Sequence, residues 1–146
     1  MHGRVDALVR YFESLSPQSV ADLPRYYAAD CRFRDPFNDV RGIPALAAIF
    51  DHMFERLDEP RFIVGDRVVE GSRALLTWEF EFRFHNWRPQ VLQHIHGSSL
   101  ITFDAGGRVA VHRDYWDAAE ELYEKLPLVG PLLRLLKQQG RPKATL

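Results

Sequence analysis

Between residues 73 and 84 the chain alternates. Ala74, Leu76, Trp78, Phe80, Phe82 and Phe84 take every second position, with Arg73, Thr77, Glu79, Glu81 and Arg83 between them. Successive strand residues point to opposite faces, so this stretch is a half-buried strand with an aromatic inner face. That face limits what the rest of the chain can be. Four large aromatics are more than a helix-packed sheet needs, and they predict a pocket wall rather than a solid core. Neighbouring segments keep the same period. Residues 61–70 read as a strand with a bulge or turn at Gly65-Asp66. After a turn at His85-Asn86-Trp87-Arg88-Pro89 comes a strand over 90–103, a tight hairpin turn at Asp104-Ala105-Gly106-Gly107, and a last strand over 108–116.

The first sixty residues follow a different period. Val5, Leu8, Val9, Phe12 and Leu15 recur at helical spacing over residues 4–15. Ser16-Pro17 starts a short second helix carrying Val20, Leu23, Tyr26 and Tyr27. Gly42 breaks the chain, Pro44 starts a third helix with Leu46, Ile49, Phe50, Met53, Phe54 and Leu57 on one face, and Glu59-Pro60 ends it. Three helices followed by a meander predict an α+β domain with helices on one sheet face. A further helix is expected over 117–137, its leucines closing the pocket mouth or packing on a second subunit, and a disordered tail over 138–146. The domain therefore runs from 1 to 137.

A length of 146 residues suits one core. The formal net charge of -1 supplies no basic field for nucleic acid or an anionic membrane. A single cysteine, Cys31, excludes an internal disulfide framework and a zinc ribbon. With no signal-like apolar core at the N-terminus and no 18-residue apolar window, the expected compartment is the cytoplasm. No phosphate loop, nucleophile elbow or dinucleotide fingerprint is present.

Several polar residues stand out as candidate chemistry. Asp35 precedes Pro36 and lies between Phe33 and Phe37. Proline holds its predecessor extended. With both phenylalanines buried, the carboxylate would be fixed and partly dry, as a general base requires; the alternative is a simple turn cap. Tyr11 falls at the edge of the first helix's apolar stripe, where its hydroxyl can reach a cavity. His112, Asp114 and Trp116 share one face of the last strand, making Asp114 a second candidate carboxylate. His94 and His96 share one face of the third strand and Ser99 takes the other. Two histidines without a third ligand at telling spacing do not make a zinc site, so His96 is a candidate general acid or an outer-face residue at a subunit interface. Trp78, Phe80, Phe50 and Trp116 are candidate pocket wall.

Arg10-Tyr11, Tyr27-Ala28-Ala29-Asp30, Asp35-Pro36-Phe37, Gly42, Phe103-Asp104 with Gly107-Arg108, and Tyr115-Trp116 occur in an order and spacing that resemble the nuclear transport factor 2-like superfamily. That superfamily includes ketosteroid isomerases, SnoaL-type polyketide cyclases, scytalone dehydratase and limonene epoxide hydrolase. The resemblance implies a cone-shaped fold, with a curved mixed sheet wrapped around three N-terminal helices and an extra C-terminal helix. It places Asp35 on the isomerase base and Tyr11, 24 residues earlier, on the oxyanion tyrosine. Ser99 stands where the isomerases carry a protonated aspartate, a departure from their pattern. The cyclase and hydrolase branches use an acidic residue late in the sheet, which implies a role for Asp114; the dehydratase branch uses a histidine, which implies one for His96. The implied protein is a cofactor-free, metal-free homodimer that moves a proton on a hydrophobic carbonyl compound as an isomerase, cyclase or dehydratase. Its substrate would contact Trp78, Phe80, Ser99, Trp116 and Phe50. The alternative is a binding module for an apolar ligand with no catalysis.

Overall fold

The computed structural model describes residues 1–121. Its order is α1 (His2–Glu13), a 3-10 turn (Ser19–Asp22), α2 (Leu23–Tyr26), β1 (Tyr27–Arg34), β2 (Asp39–Arg41), α3 (Ile43–Arg56), β3 (Leu57–Glu70), β4 (Arg73–Phe84), β5 (Gln93–Phe103), β6 (Val109–Tyr115) and α4 (Ala118–Glu121). The rest of the expected C-terminal helix and the tail lie outside the described residues.

Three helices pack on a curved, unclosed six-stranded sheet of order β2-β1-β6-β5-β4-β3. Strands β3 to β6 form the antiparallel meander that the alternation predicts. Strand β1 adds to its far side, parallel to β6, so the sheet is mixed. The pairing of β3 with β4 slips between Val64 and Arg67. That slip is a bulge at Gly65-Asp66, and such bulges bend a sheet. The expected second helix is shorter than its apolar residues suggest. It ends at Tyr26, and Tyr27 opens β1.

Two apolar clusters divide the interior. The first joins Val5, Leu8, Val9 and Phe12 of α1 to Leu46 and Phe50 of α3, and to Ala74 and Leu76 of the sheet. The second joins Trp78, Phe80, Phe82 and Ile95, with Met53 and Leu57 packed on it. Strand β4 opens with Ala74 and Leu76, which belong to the first cluster. Large rings further along hold the helical layer away from the sheet, and a cavity opens there.

Candidate functional site

The cavity has a volume of about 380 Å³ and lies between α3 and the inner face of β4. Trp78, Phe80, Phe82 and Phe84 form one wall, and Phe50 and Met53 of α3 face them. From Trp78 to Phe84 is six residues of strand, roughly 20 Å. The far end is bordered by Leu57, His52 and Arg56. The near end holds Asp114, with Phe37 and Trp116 in edge-to-face contact beside it, ring centroids 5.5 Å apart. A narrow extension of about 30 Å³ runs from here to Ser99, His112 and Phe12.

Four strands contribute a hydrogen-bonded chain at the near end. Trp78 Nε1 of β4 donates to Ser99 Oγ of β5 at 2.8 Å, and Ser99 Oγ donates to Asp114 Oδ1 of β6 at 2.5 Å. His112 Nε2 lies 2.7 Å from the same Oδ1. On the other side of the ring, His112 Nδ1 is 2.6 Å from the hydroxyl of Tyr27 in β1. The strand register explains the convergence. Ser99 is paired with Asp114 across β5 and β6, and His112 lies two residues before Asp114 on the same face. Tyr27, His112 and Ser99 are each at most 4% exposed, and no buried side-chain nitrogen or oxygen of the described residues lacks a partner. Burial, with the negative charge of Asp114 second, pushes the Tyr27 phenol well above its usual 10. Asp114 is less enclosed, with 16% of its side chain exposed. Its Oδ2 receives no hydrogen bond from the described residues. It also borders an open surface groove, where Arg34 turns to Asp39 and Arg113 lies over the Tyr115 ring.

The other sequence candidates are placed differently. Asp35 lines the cavity rim, but its carboxylate is occupied by its own loop. Oδ1 accepts from Phe37 N at 2.8 Å and Asn38 N at 2.7 Å, and Asn38 Nδ2 reaches both oxygens. This is the turn-capping geometry of an aspartate that accepts from the backbone two and three residues on. Phe33 is buried as expected, whereas Phe37 is 52% exposed, so Asp35 is not closed in on both sides. Tyr11 does not line the cavity. Its hydroxyl donates to Ser19 O at 2.7 Å, its ring stacks on Tyr26 at 4.2 Å, and burial, Asp22 and Tyr26 together push its phenol up to about 12. The expected geometry of Tyr11 facing Asp35 across the cavity is therefore not present. Helix α1 ends at Glu13, and the loop behind it takes the tyrosine hydroxyl first.

His96 is exposed on the outer sheet face beside Glu79, and Ser99 faces inward, as the alternation requires. His94 lies opposite Glu81 there, at 3.6 Å. Glu79, Glu81 and His94 bring three potential metal-ligand atoms within 4.8 Å of one another. These residues lie on the side of the sheet away from the cavity. The pocket-wall candidates Trp78, Phe80, Phe50 and Trp116 all line the cavity, and Ser99 lines its narrow extension. Sequence reasoning gave no role to His112 or Tyr27. The His-x-Asp spacing on one strand was a usable signal for the first; Tyr27, read as helical, gave none.

The sequence of the SnoaL-like domain family matches residues 8–112. The chain belongs to this family, within the nuclear transport factor 2-like superfamily. The match stops two residues before Asp114. No curated protein matches the chain by sequence. Among solved structures, the fold is similar to a nuclear transport factor 2-like protein of unknown function from Burkholderia pseudomallei, at 17% identity and TM-score 0.71, covering 82% of this chain and 95% of that one. It is similar to a protein described as a SnoaL-like polyketide cyclase from Jannaschia sp. CCS1, at 18% identity and TM-score 0.68, covering 80% and 87%. It is also similar to an LEH-like epoxide hydrolase from M. tuberculosis, at 17% identity and TM-score 0.65, covering 98% and 93%. At these identities the likeness shows the fold. Among the described residues, no helix is long and apolar enough to cross a membrane.

Proposed function

We propose that the chain is a cofactor-free acid–base enzyme of the cyclase, isomerase or dehydratase type, with Asp114 moving a proton on a hydrophobic carbonyl compound. One observation carries this reading. Asp114 lines the aromatic cavity with one oxygen fixed by Ser99 and His112 and the other without a hydrogen bond from the described residues. A carboxylate in that setting has its direction set before the ligand arrives, and proton transfer to a positioned group typically contributes about 10²–10⁴-fold in rate. Asp35 is a rim residue in this account, engaged by Asn38. The aromatic wall supplies binding by apolar burial and ring contact. The outer sheet face carries the exposed apolar residues Leu75, Val111 and Tyr115, and we take it as the contact of a homodimer.

The second reading, a binding module without chemistry, has its own support. The donors of the hydrogen-bonded chain, Trp78, Ser99, His112 and Tyr27, are all engaged within it, so none of these four is left for an enolate oxygen. The two readings separate in deuterium oxide. Apolar enolisable ketones such as 2-tetralone are incubated with the protein, and loss of the α-proton signal is followed by NMR. Exchange above the buffer rate that disappears in Asp114→Asn supports the enzyme. Exchange at the buffer rate with every ketone supports the binding module.

A further inference from the structure

The hydrogens of the buried chain can be assigned from its ends. An indole only donates, so Ser99 Oγ accepts from Trp78 and its own proton must go to Asp114 Oδ1. An ionised carboxylate only accepts, so His112 Nε2 carries a proton. His112 Nδ1 then has two options. As an acceptor it takes the Tyr27 proton. As a second donor, in an imidazolium, it would leave the Tyr27 hydroxyl hydrogen without an acceptor among the described residues. Orphaning a buried hydroxyl hydrogen is costly, and the raised phenol keeps that proton on Tyr27. One assignment therefore satisfies every group. The His112 ring is neutral with its proton on Nε2, and all hydrogens of the chain point toward Asp114 Oδ1.

The hydrogen-bonded chain consequently presents Asp114 Oδ2 as an acceptor, and Asp35, the other carboxylate at the near end, also accepts. The ionisable donors among the described residues that line the cavity, His52 and Arg56, are exposed at its other end. From this polarity we infer that the cavity takes apolar ligands whose inner polar group is a hydrogen-bond donor, a hydroxyl on a flat hydrocarbon skeleton, in preference to the matching carbonyl compound. A carbonyl oxygen placed at Asp114 Oδ2 meets a second acceptor; a hydroxyl placed there completes the carboxylate. This inference deepens the proposed function and rests on it only for turnover. The substrate of such a site is a hydroxy-carbonyl compound, with its hydroxyl at Asp114 and its carbonyl directed along the trough. Tyr27 and His112 are positioning residues that fix which oxygen of Asp114 faces the ligand.

A matched pair of probes tests it. Binding of 1-(2-naphthyl)ethanol and of 2-acetylnaphthalene is measured by calorimetry at pH 8 on the full chain. The alcohol should bind on the order of tenfold more tightly than the ketone, because only the alcohol gives Asp114 Oδ2 a hydrogen bond. Asp114→Asn turns an amide donor toward the cavity, and the preference should reverse. A second measurement needs no change at the site. In ¹⁵N spectra of the wild-type protein, the His112 ring, assigned with His112→Gln, should show a neutral ring protonated at Nε2. Equal or tighter binding of the ketone by the wild type, or a His112 ring protonated at Nδ1, overturns the inference. Absence of deuterium exchange on ketones bears on the reaction alone and leaves this preference standing.

Discussion

Gly97 sits opposite Trp78 in the pairing of β4 with β5. A Cβ on Gly97 would lie 2.5, 2.8 and 3.0 Å from three carbons of the Trp78 ring. Carbon contacts are comfortable at about 3.5–4.0 Å, so in Gly97→Ala the indole must retreat by roughly 1 Å. Its Nε1 starts 2.8 Å from Ser99 Oγ, and a retreat of that size breaks the bond. Overpacking costs about 1–3 kcal/mol and the lost hydrogen bond about 0.5–1.5 kcal/mol. Together they give roughly 2–4 kcal/mol, or a fall in Tm of about 5–15 °C for a chain of this size. Near-UV circular dichroism and thermal melts of Gly97→Ala provide the assay. The ring moves into the cavity, so affinity for the naphthyl probes should fall with stability. A variant with wild-type Tm, unchanged near-UV signal and unchanged probe affinity would refute the claim that Gly97 makes room for the ring.

Other expectations follow from the same geometry. Leu46 of α3 is fully buried in the first apolar cluster, and Leu46→Ala should cost about 2–5 kcal/mol in urea melts; a loss below 1 kcal/mol would mean that the site collapses without a cavity. Tyr11 keeps its proton up to about 12 when folded, whereas an unfolded tyrosine ionises near 10. Between these values the unfolded chain holds fewer protons, so stability should fall as pH rises from about 10 to about 12. Tyr11→Phe should flatten part of that fall; a stability that rises across the window contradicts the assignment. If the outer face is the homodimer contact, light scattering should give twice the chain mass, and Leu75→Asp should halve it without lowering the helix and strand signal.

The meander was legible because its information is local. Alternation in 73–84 fixes which residues face inward, and the turn residues at 104–107 fix where the chain reverses. The Asp104 carboxylate meets Arg108 N at 3.0 Å, and Gly107 takes φ 79°. The mixed sheet was harder to read. Strand β1 pairs with β6 some eighty residues later, and nothing in residues 27–34 names that partner. The same distance hid Tyr27, whose contact with His112 spans 85 residues. The two aspartates show the contrast at the site. Asp35 has the more distinctive neighbours in sequence, but those neighbours occupy its carboxylate, and Asn38 was visible three residues on. Asp114 has an ordinary sequence setting. Its surroundings come from β1, β4 and β5, and they exist only once the sheet has formed.

The competing roles of the two carboxylates can be compared directly. Deuterium exchange into 2-tetralone is measured for the wild type, Asp35→Asn and Asp114→Asn under one set of conditions. Asp114 as the acid–base group predicts that Asp35→Asn keeps wild-type exchange within a few-fold, while Asp114→Asn falls by about 10² or more. Loss of exchange in Asp35→Asn with full exchange in Asp114→Asn would contradict the assignment of Asp114.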